Sequence, residues 1–131
     1  MRRAQQLGRY HLLDRIAFGG MAEIYRAKTF DEKGRARVVA IKRILPERAG
    51  DPHFLQMFLD EARVVARLNH PNIVQVYEVG QEDGVPFMTM EYVRGVTLST
   101  IVRQAHADRK VHYSHAARIV ARIAAALDYA H

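Results

Sequence analysis

The sequence has no cysteine. That excludes a disulfide framework and a thiolate metal site, and leaves the redox compartment untested. No apolar run approaches the ~20 residues that a membrane span needs. Met1-Arg2-Arg3 is basic, but no apolar core of signal-peptide type follows it. There is no internal repeat, low-complexity tract or linker. What is present is ordinary for a soluble globular domain, with 49% hydrophobic and 26% charged residues in 131. That length suits about one domain, burying roughly two-thirds of the surface of its unfolded chain.

Acidic side chains are fewer than basic ones, giving a net charge of +6. Such a balance suits nucleic acid, anionic lipid or a phosphate ligand. The basic residues are scattered, with Arg26, Lys28, Lys33, Arg35 and Arg37 early and Arg118 and Arg122 late. Acidic residues interleave with them, as on a solvated surface. A nucleic-acid-binding domain would set aromatics among its arginines. Here the aromatics fall mainly at apparent core positions, so neither nucleic acid nor a membrane is expected as a partner of this segment.

Hydrophobic spacing predicts strands at Tyr10–Phe18, Ile24–Lys28 and Arg37–Lys42, joined by short turns into an antiparallel meander. Asp51-Pro52 supplies an N-cap and a first-turn proline. Phe54, Leu55, Phe58, Leu59, Ala62, Val65 and Ala66 then form one apolar stripe of a helix that Asn69-His70-Pro71 stops. Two further strands are expected at Ile73–Val79 and Pro86–Glu91, turned at Asp83-Gly84. After Gly95 the period becomes helical. A short helix runs from Thr97 to about Gln104, and Ser114 caps a longer one with Ala116, Ile119, Val120, Ile123, Ala124 and Leu127 on its inner face. The pattern continues to His131 without a stop signal, so the C-terminus reads as a truncation.

Ala17-Phe18-Gly19-Gly20-Met21-Ala22 lies between two expected strands. Glycine there lets backbone N–H groups approach phosphate oxygens, although a Gly-Gly hairpin turn needs no ligand. A dinucleotide fingerprint requires a helix after the glycines, and Glu23-Ile24-Tyr25 is strand-like. A P-loop requires Gly-Lys-Ser/Thr, which is absent. Val39-Ala40-Ile41-Lys42 closes an apolar strand on a lysine. Glu61 sits on the inner side of the helix stripe, where a carboxylate needs a cationic partner, and Lys42 is the obvious one. Both residues also admit a plain surface reading.

In order and spacing these residues resemble the N-terminal half of a bacterial, eukaryotic-like serine/threonine protein kinase domain, from Arg9 to His131. The resemblance rests on the glycine loop between antiparallel strands, Val39-Ala40-Ile41-Lys42, Glu61, His70-Pro71-Asn72-Ile73-Val74 and the hinge-like Met90-Glu91-Tyr92-Val93-Arg94-Gly95. Thr97-Leu98 and the closing Leu127-Asp128-Tyr129-Ala130-His131 fit as well. It implies an α+β fold: a small lobe over residues 1–90 with a five-stranded antiparallel sheet and one helix, a hinge at 91–96, and the first two helices of a large lobe at 97–131, truncated. It implies ATP and a protein substrate as partners, Mg²⁺ as a cofactor whose ligands lie beyond this segment, and a cytoplasmic location for the kinase portion.

The resemblance also implies roles. Lys42 would bind the α/β-phosphates and pair with Glu61. Gly19, Gly20, Met21 and Ala22 would fold over the phosphates, with Ala17 and Phe18 leading in. Ile16, Ile24 and Ala40 would roof the adenine, with Leu98 below. Met90 stands at the gatekeeper position, and the backbone of Glu91 and Val93 would meet the adenine edge. Thr97 falls near the ribose, and Val65 and Val76 resemble apolar spine positions. Two features depart from the family pattern. Ala17 and Ala22 stand where glycines are usual, which would stiffen the loop or weaken phosphate contact. The catalytic loop, with its Asp base and metal-binding Asn, and the later Asp-Phe-Gly site are not in the sequence, so the chain alone is expected to transfer no phosphate. A non-catalytic nucleotide-binding scaffold is the alternative. His11, His53, His70, His106, His112, His115 and His131 form no recognisable metal set.

Overall fold

The computed structural model describes residues 5–107 and 113–131, with the side chains of 105–107 and 113 left aside. Its elements in order are β1 (Gln6–Leu7), β2 (Tyr10–Phe18), β3 (Ala22–Phe30), β4 (Ala36–Ile44), α1 (Pro52–Ala66), β5 (Val76–Glu82), β6 (Val85–Glu91), α2 (Leu98–Ala107) and α3 (Tyr113–Ala130). The chain divides into two compact units. One holds the residues up to Leu68 with Gln75–Tyr92, and the other holds Asn69–Val74 with Val93–His131.

The first unit is a six-stranded antiparallel sheet in the order β1-β2-β3-β4-β6-β5, with α1 packed on it. Five strands were expected. The sixth, β1, is two residues long and folds back on Tyr10 and His11 through Gly8, whose φ is +55°. Such a short segment leaves no periodic trace. The expected fourth strand also starts later, at Val76 rather than Ile73. Asp83-Gly84 makes the β5–β6 turn with both φ values positive, 49° and 79°, which matches the right-handed twist of the flanking strands. Gly80 has no room for a side chain, because a Cβ there would lie 2.9 Å from the Phe87 ring.

Strand alternation divides the core between two faces. Val39 and Ile41 of β4 join Leu7, Tyr10, Leu12, Ala27 and Phe87 on one face. Ile44 joins Met88, Val76 and the α1 residues Phe58 and Ala62 on the other. α1 begins as expected: the Asp51 side chain accepts the His53 N–H at 2.9 Å and Pro52 opens the first turn. Its stripe buries Phe58 and Ala62, while Asp60 and Ala66 face solvent.

In the second unit, Thr97 precedes α2 rather than belonging to it. Its hydroxyl accepts the Thr100 N–H at 3.2 Å, an N-cap. Ser114 lies inside α3, not ahead of it, because the helix starts at Tyr113. The segment Asn69–Val74 is tied to α3. The Asn69 N–H donates to the Tyr129 hydroxyl at 2.9 Å, and Asn72 Nδ2 donates to the Arg122 carbonyl at 3.0 Å. The His70 ring rests against Tyr129 with centroids 5.2 Å apart. These bonds explain why Ile73-Val74, strand-like in composition, is not strand. The expected inner face of α3 is largely exposed, with Val120 at 64% and Leu127 at 54%.

Candidate functional site

The β2–β3 turn is the focus of the first unit. Gly19 donates its N–H to the Ala22 carbonyl at 2.9 Å, closing the turn on itself. The Leu45 N–H donates to the Met21 carbonyl at 2.9 Å and ties the turn to the end of β4. A Cβ on Gly20 would meet nothing, and one on Gly19 would make only an ordinary contact with the Ala22 carbonyl, 3.6 Å away. Neither glycine has positive φ, so the fold itself does not demand glycine at either position. What glycine leaves there is backbone with no side chain over it, as a ligand-approaching loop requires. Ala17 and Ala22 also have negative φ and are accommodated without backbone strain.

Lys42 lies on β4 opposite Ile24 on one side and Met88 on the other. The even positions of β4 face α1, so Lys42 points to the helix side of the sheet. Its Nζ donates to Glu61 Oε1 at 2.8 Å. The lysine side chain is 23% exposed and the carboxylate 49%. At that exposure an ion pair contributes ~0–1 kcal/mol to stability, so its consequence is placement rather than folding energy.

A cavity of about 410 Å³ opens beneath the turn. The turn residues Ala17, Phe18, Gly19, Gly20, Met21 and Ala22 form one wall. Ile24, Lys42 and Ile44 form the sheet floor, and Phe54, Phe58 and Glu61 the helix side. Phe54 and Phe58 were read from sequence only as part of the apolar helix stripe, and Ile44, two residues past the expected end of its strand, was not singled out. The signal was available, since Phe54 and Phe58 lie seven and three residues before Glu61 on the same helix face.

Other expected site residues lie outside this cavity's lining. Ile16 is 45% exposed on β2. Ala40 is buried and pairs with Met90 across β4–β6. The Glu91 N–H donates to the Gln75 carbonyl at 2.8 Å, and its carboxylate accepts from the Gln75 N–H at 3.5 Å. Val93, Thr97 and Leu98 belong to the second unit. There Val93 is 61% exposed, and the Thr97 hydroxyl is occupied with Ser99 and Thr100.

The opposite face of the sheet, directly behind Lys42, carries a second ionic cluster. The Glu23 carboxylate is nearly fully buried and accepts from Arg43 Nε at 2.8 Å, with Arg15 at 3.8 Å. Among the described residues, no group of three or more His, Asp or Glu is placed to hold a metal ion. His112 lies outside the described residues, as does the side chain of His106.

Residues 10–131 match the protein kinase domain family. The chain belongs to that family. Kinase-domain relatives include the tyrosine-protein kinase MasK of Myxococcus xanthus, 48% identical over 83% of this chain and 17% of its own length. The serine/threonine-protein kinase PrkC of Bacillus subtilis is 38% identical over 95% of this chain and 18% of its own. Among solved structures, the kinase domain of PknI from Mycobacterium tuberculosis aligns with a TM-score of 0.70 at 30% identity, over 99% of this chain and 51% of that one. The chain thus spans less than a fifth of these curated relatives and about half of a solved kinase domain. The α+β kinase-like fold stands, with six strands in the small-lobe sheet in place of five. No helix among the described residues is long and apolar enough to cross a membrane.

Proposed function

We propose that the chain is the nucleotide-binding portion of a protein kinase that transfers the ATP γ-phosphoryl group to serine or threonine hydroxyls of proteins. The observation that carries this reading is the 2.8 Å pair between Lys42 and Glu61 in a cavity walled by the glycine turn. Lys42 would hold the α/β-phosphates, with Glu61 fixing the direction of its ammonium. The backbone N–H groups of Gly20 and Met21 would approach the same phosphates, the Gly19 N–H being held by the Ala22 carbonyl. Ile16, Ile24, Ala40 and Met90 would enclose the adenine with Leu98, and the backbone of Glu91 and Val93 would meet its edge. Thr97 would lie near the ribose. Phosphoryl transfer is mostly positioning and charge stabilisation, and this segment supplies the positioning of ATP. Mg²⁺ would be held by residues of the kinase domain beyond this segment and would neutralise phosphate charge there.

Serine/threonine specificity is supported by relatives such as PrkC, while MasK carries the tyrosine name. Phosphoamino-acid analysis of substrate labelled by the longer protein separates the two. A cytoplasmic location for this portion goes with the same reading.

The direct test uses a fluorescent ATP analogue and the chain itself. The wild type is expected to bind it, and Lys42→Met to weaken binding about tenfold or more, the effect of losing one charge-assisted hydrogen bond. Circular dichroism of Lys42→Met should match the wild type, because the ion pair adds little stability. Wild-type affinity equal to that of Lys42→Met would overturn the reading. Incubation with radiolabelled ATP and a basic protein should give no transfer by the chain alone.

A further inference from the structure

Lys42 and Arg43 are adjacent, and strand alternation sends them to opposite faces of β4. Lys42 meets Glu61 on the helix side. Arg43 meets Glu23 on the other side, where the carboxylate is only 7% exposed. Glu23 is the second residue of β3, just past the glycine turn, and Phe18 pairs with it at the end of β2. Arg15 approaches the same carboxylate from β2 at 3.8 Å, and its guanidinium lies 4.7 Å from the centre of the Phe18 ring. The Arg43 guanidinium lies 5.1 Å from the Tyr25 ring centre. One buried anion therefore gathers cations from the two strands flanking its own, at the base of the turn.

We propose that Glu23 is a positioning residue. Through Arg15 and Arg43 it clamps β2, β3 and β4 together behind the glycine turn and so fixes the height of that turn above Lys42. Leaving a buried carboxylate unpaired is costly, so Arg43 at 2.8 Å is the stronger tie, and Arg15 at 3.8 Å adds β2 to the same anion. Beyond the strand ladders, the backbone ties of the turn among the described residues are Gly19 to Ala22 and Leu45 to Met21. Its side chains, Phe18 among them, are largely exposed. The clamp supplies the stiffness that the exposed turn lacks, and it does so from the face opposite the phosphates. This inference rests on the nucleotide-binding reading only for its functional consequence. The placement of the turn does not depend on it.

The test combines amide hydrogen exchange with binding of the fluorescent ATP analogue, using the full chain. Glu23→Gln keeps the side-chain volume and removes the charge. Arg15→Met alters a residue that is 52% exposed and is the variant that keeps its fold if Glu23→Gln does not. Both are expected to speed exchange of the Gly19 and Leu45 amides roughly tenfold relative to amides of α1 and β6, and to weaken analogue binding by about fivefold. A purely structural role would instead speed exchange evenly across the sheet. Even acceleration, or unchanged exchange at Gly19 and Leu45 in both variants, overturns the proposal. Local acceleration in a chain whose wild type binds no analogue would sink the nucleotide reading and leave the clamp standing.

Discussion

Thr89 is the most anomalous single side chain in the sheet. It is fully buried on β6, and its hydroxyl has no hydrogen-bond partner among the described residues. It pairs with Ile41 on one side and Glu78 on the other, and so sits on the same face as the Ile41–Phe87 cluster. A buried hydroxyl without a partner forfeits its hydration and gains nothing back. Thr89→Val removes that cost and preserves shape and β-branching. The substitution is expected to raise stability by about 1 kcal/mol, read as a higher urea midpoint at unchanged slope. A lower midpoint would mean that the hydroxyl is satisfied in solution.

The β3–β4 hairpin shows how an element is set by one residue. Asp31 accepts the N–H groups of Lys33 and Arg35 at 2.9 and 2.8 Å, and its other oxygen meets Arg35 Nε at 2.8 Å. The Arg35 backbone N–H, with help from the Arg35 side chain and the Lys33 N–H, holds the Asp31 carboxyl below the usual carboxylate value. A depressed carboxylate stabilises the fold above its unfolded-state value and loses that contribution as pH falls through the folded one. Asp31→Asn should therefore melt below the wild type at pH 7, with the gap constant down to about pH 4.5 and closing below about pH 4. A gap that persists unchanged into acid would show that charge at Asp31 is not its source. At this scale much was legible: Asp51-Pro52 starts α1, Asp83-Gly84 turns a hairpin, and Lys42 at the end of an apolar strand meets Glu61 of the helix. The elements that escaped are those made by tertiary contact. Ile73-Val74 has strand composition, but Asn69 and Asn72 tie the neighbouring backbone to α3. The meeting of Arg15, Glu23 and Arg43 needed a strand register, including the bulges in β2, that spacing alone does not fix.

At the scale of the molecule, α3 presents Val120, Ile123 and Leu127 as one exposed stripe, each at least 45% accessible. Contiguous apolar surface of that kind promotes association. The chain is expected to sediment with a concentration-dependent coefficient, and Ile123→Glu with Leu127→Glu to bring it to a monomer. A wild-type monomer at all concentrations would show that the stripe is harmless. The two compact units have a further consequence for dissection. The backbone passes between them three times, after Leu68, Val74 and Tyr92. A single cut after Tyr92 does not yield a clean half. It strands Asn69–Val74 on the severed piece, while Tyr129 and the Arg122 carbonyl leave with the remainder. The sheet and its helix are thus not a portable module, and a shortened form ending there would carry a loop with its hydrogen-bond partners removed.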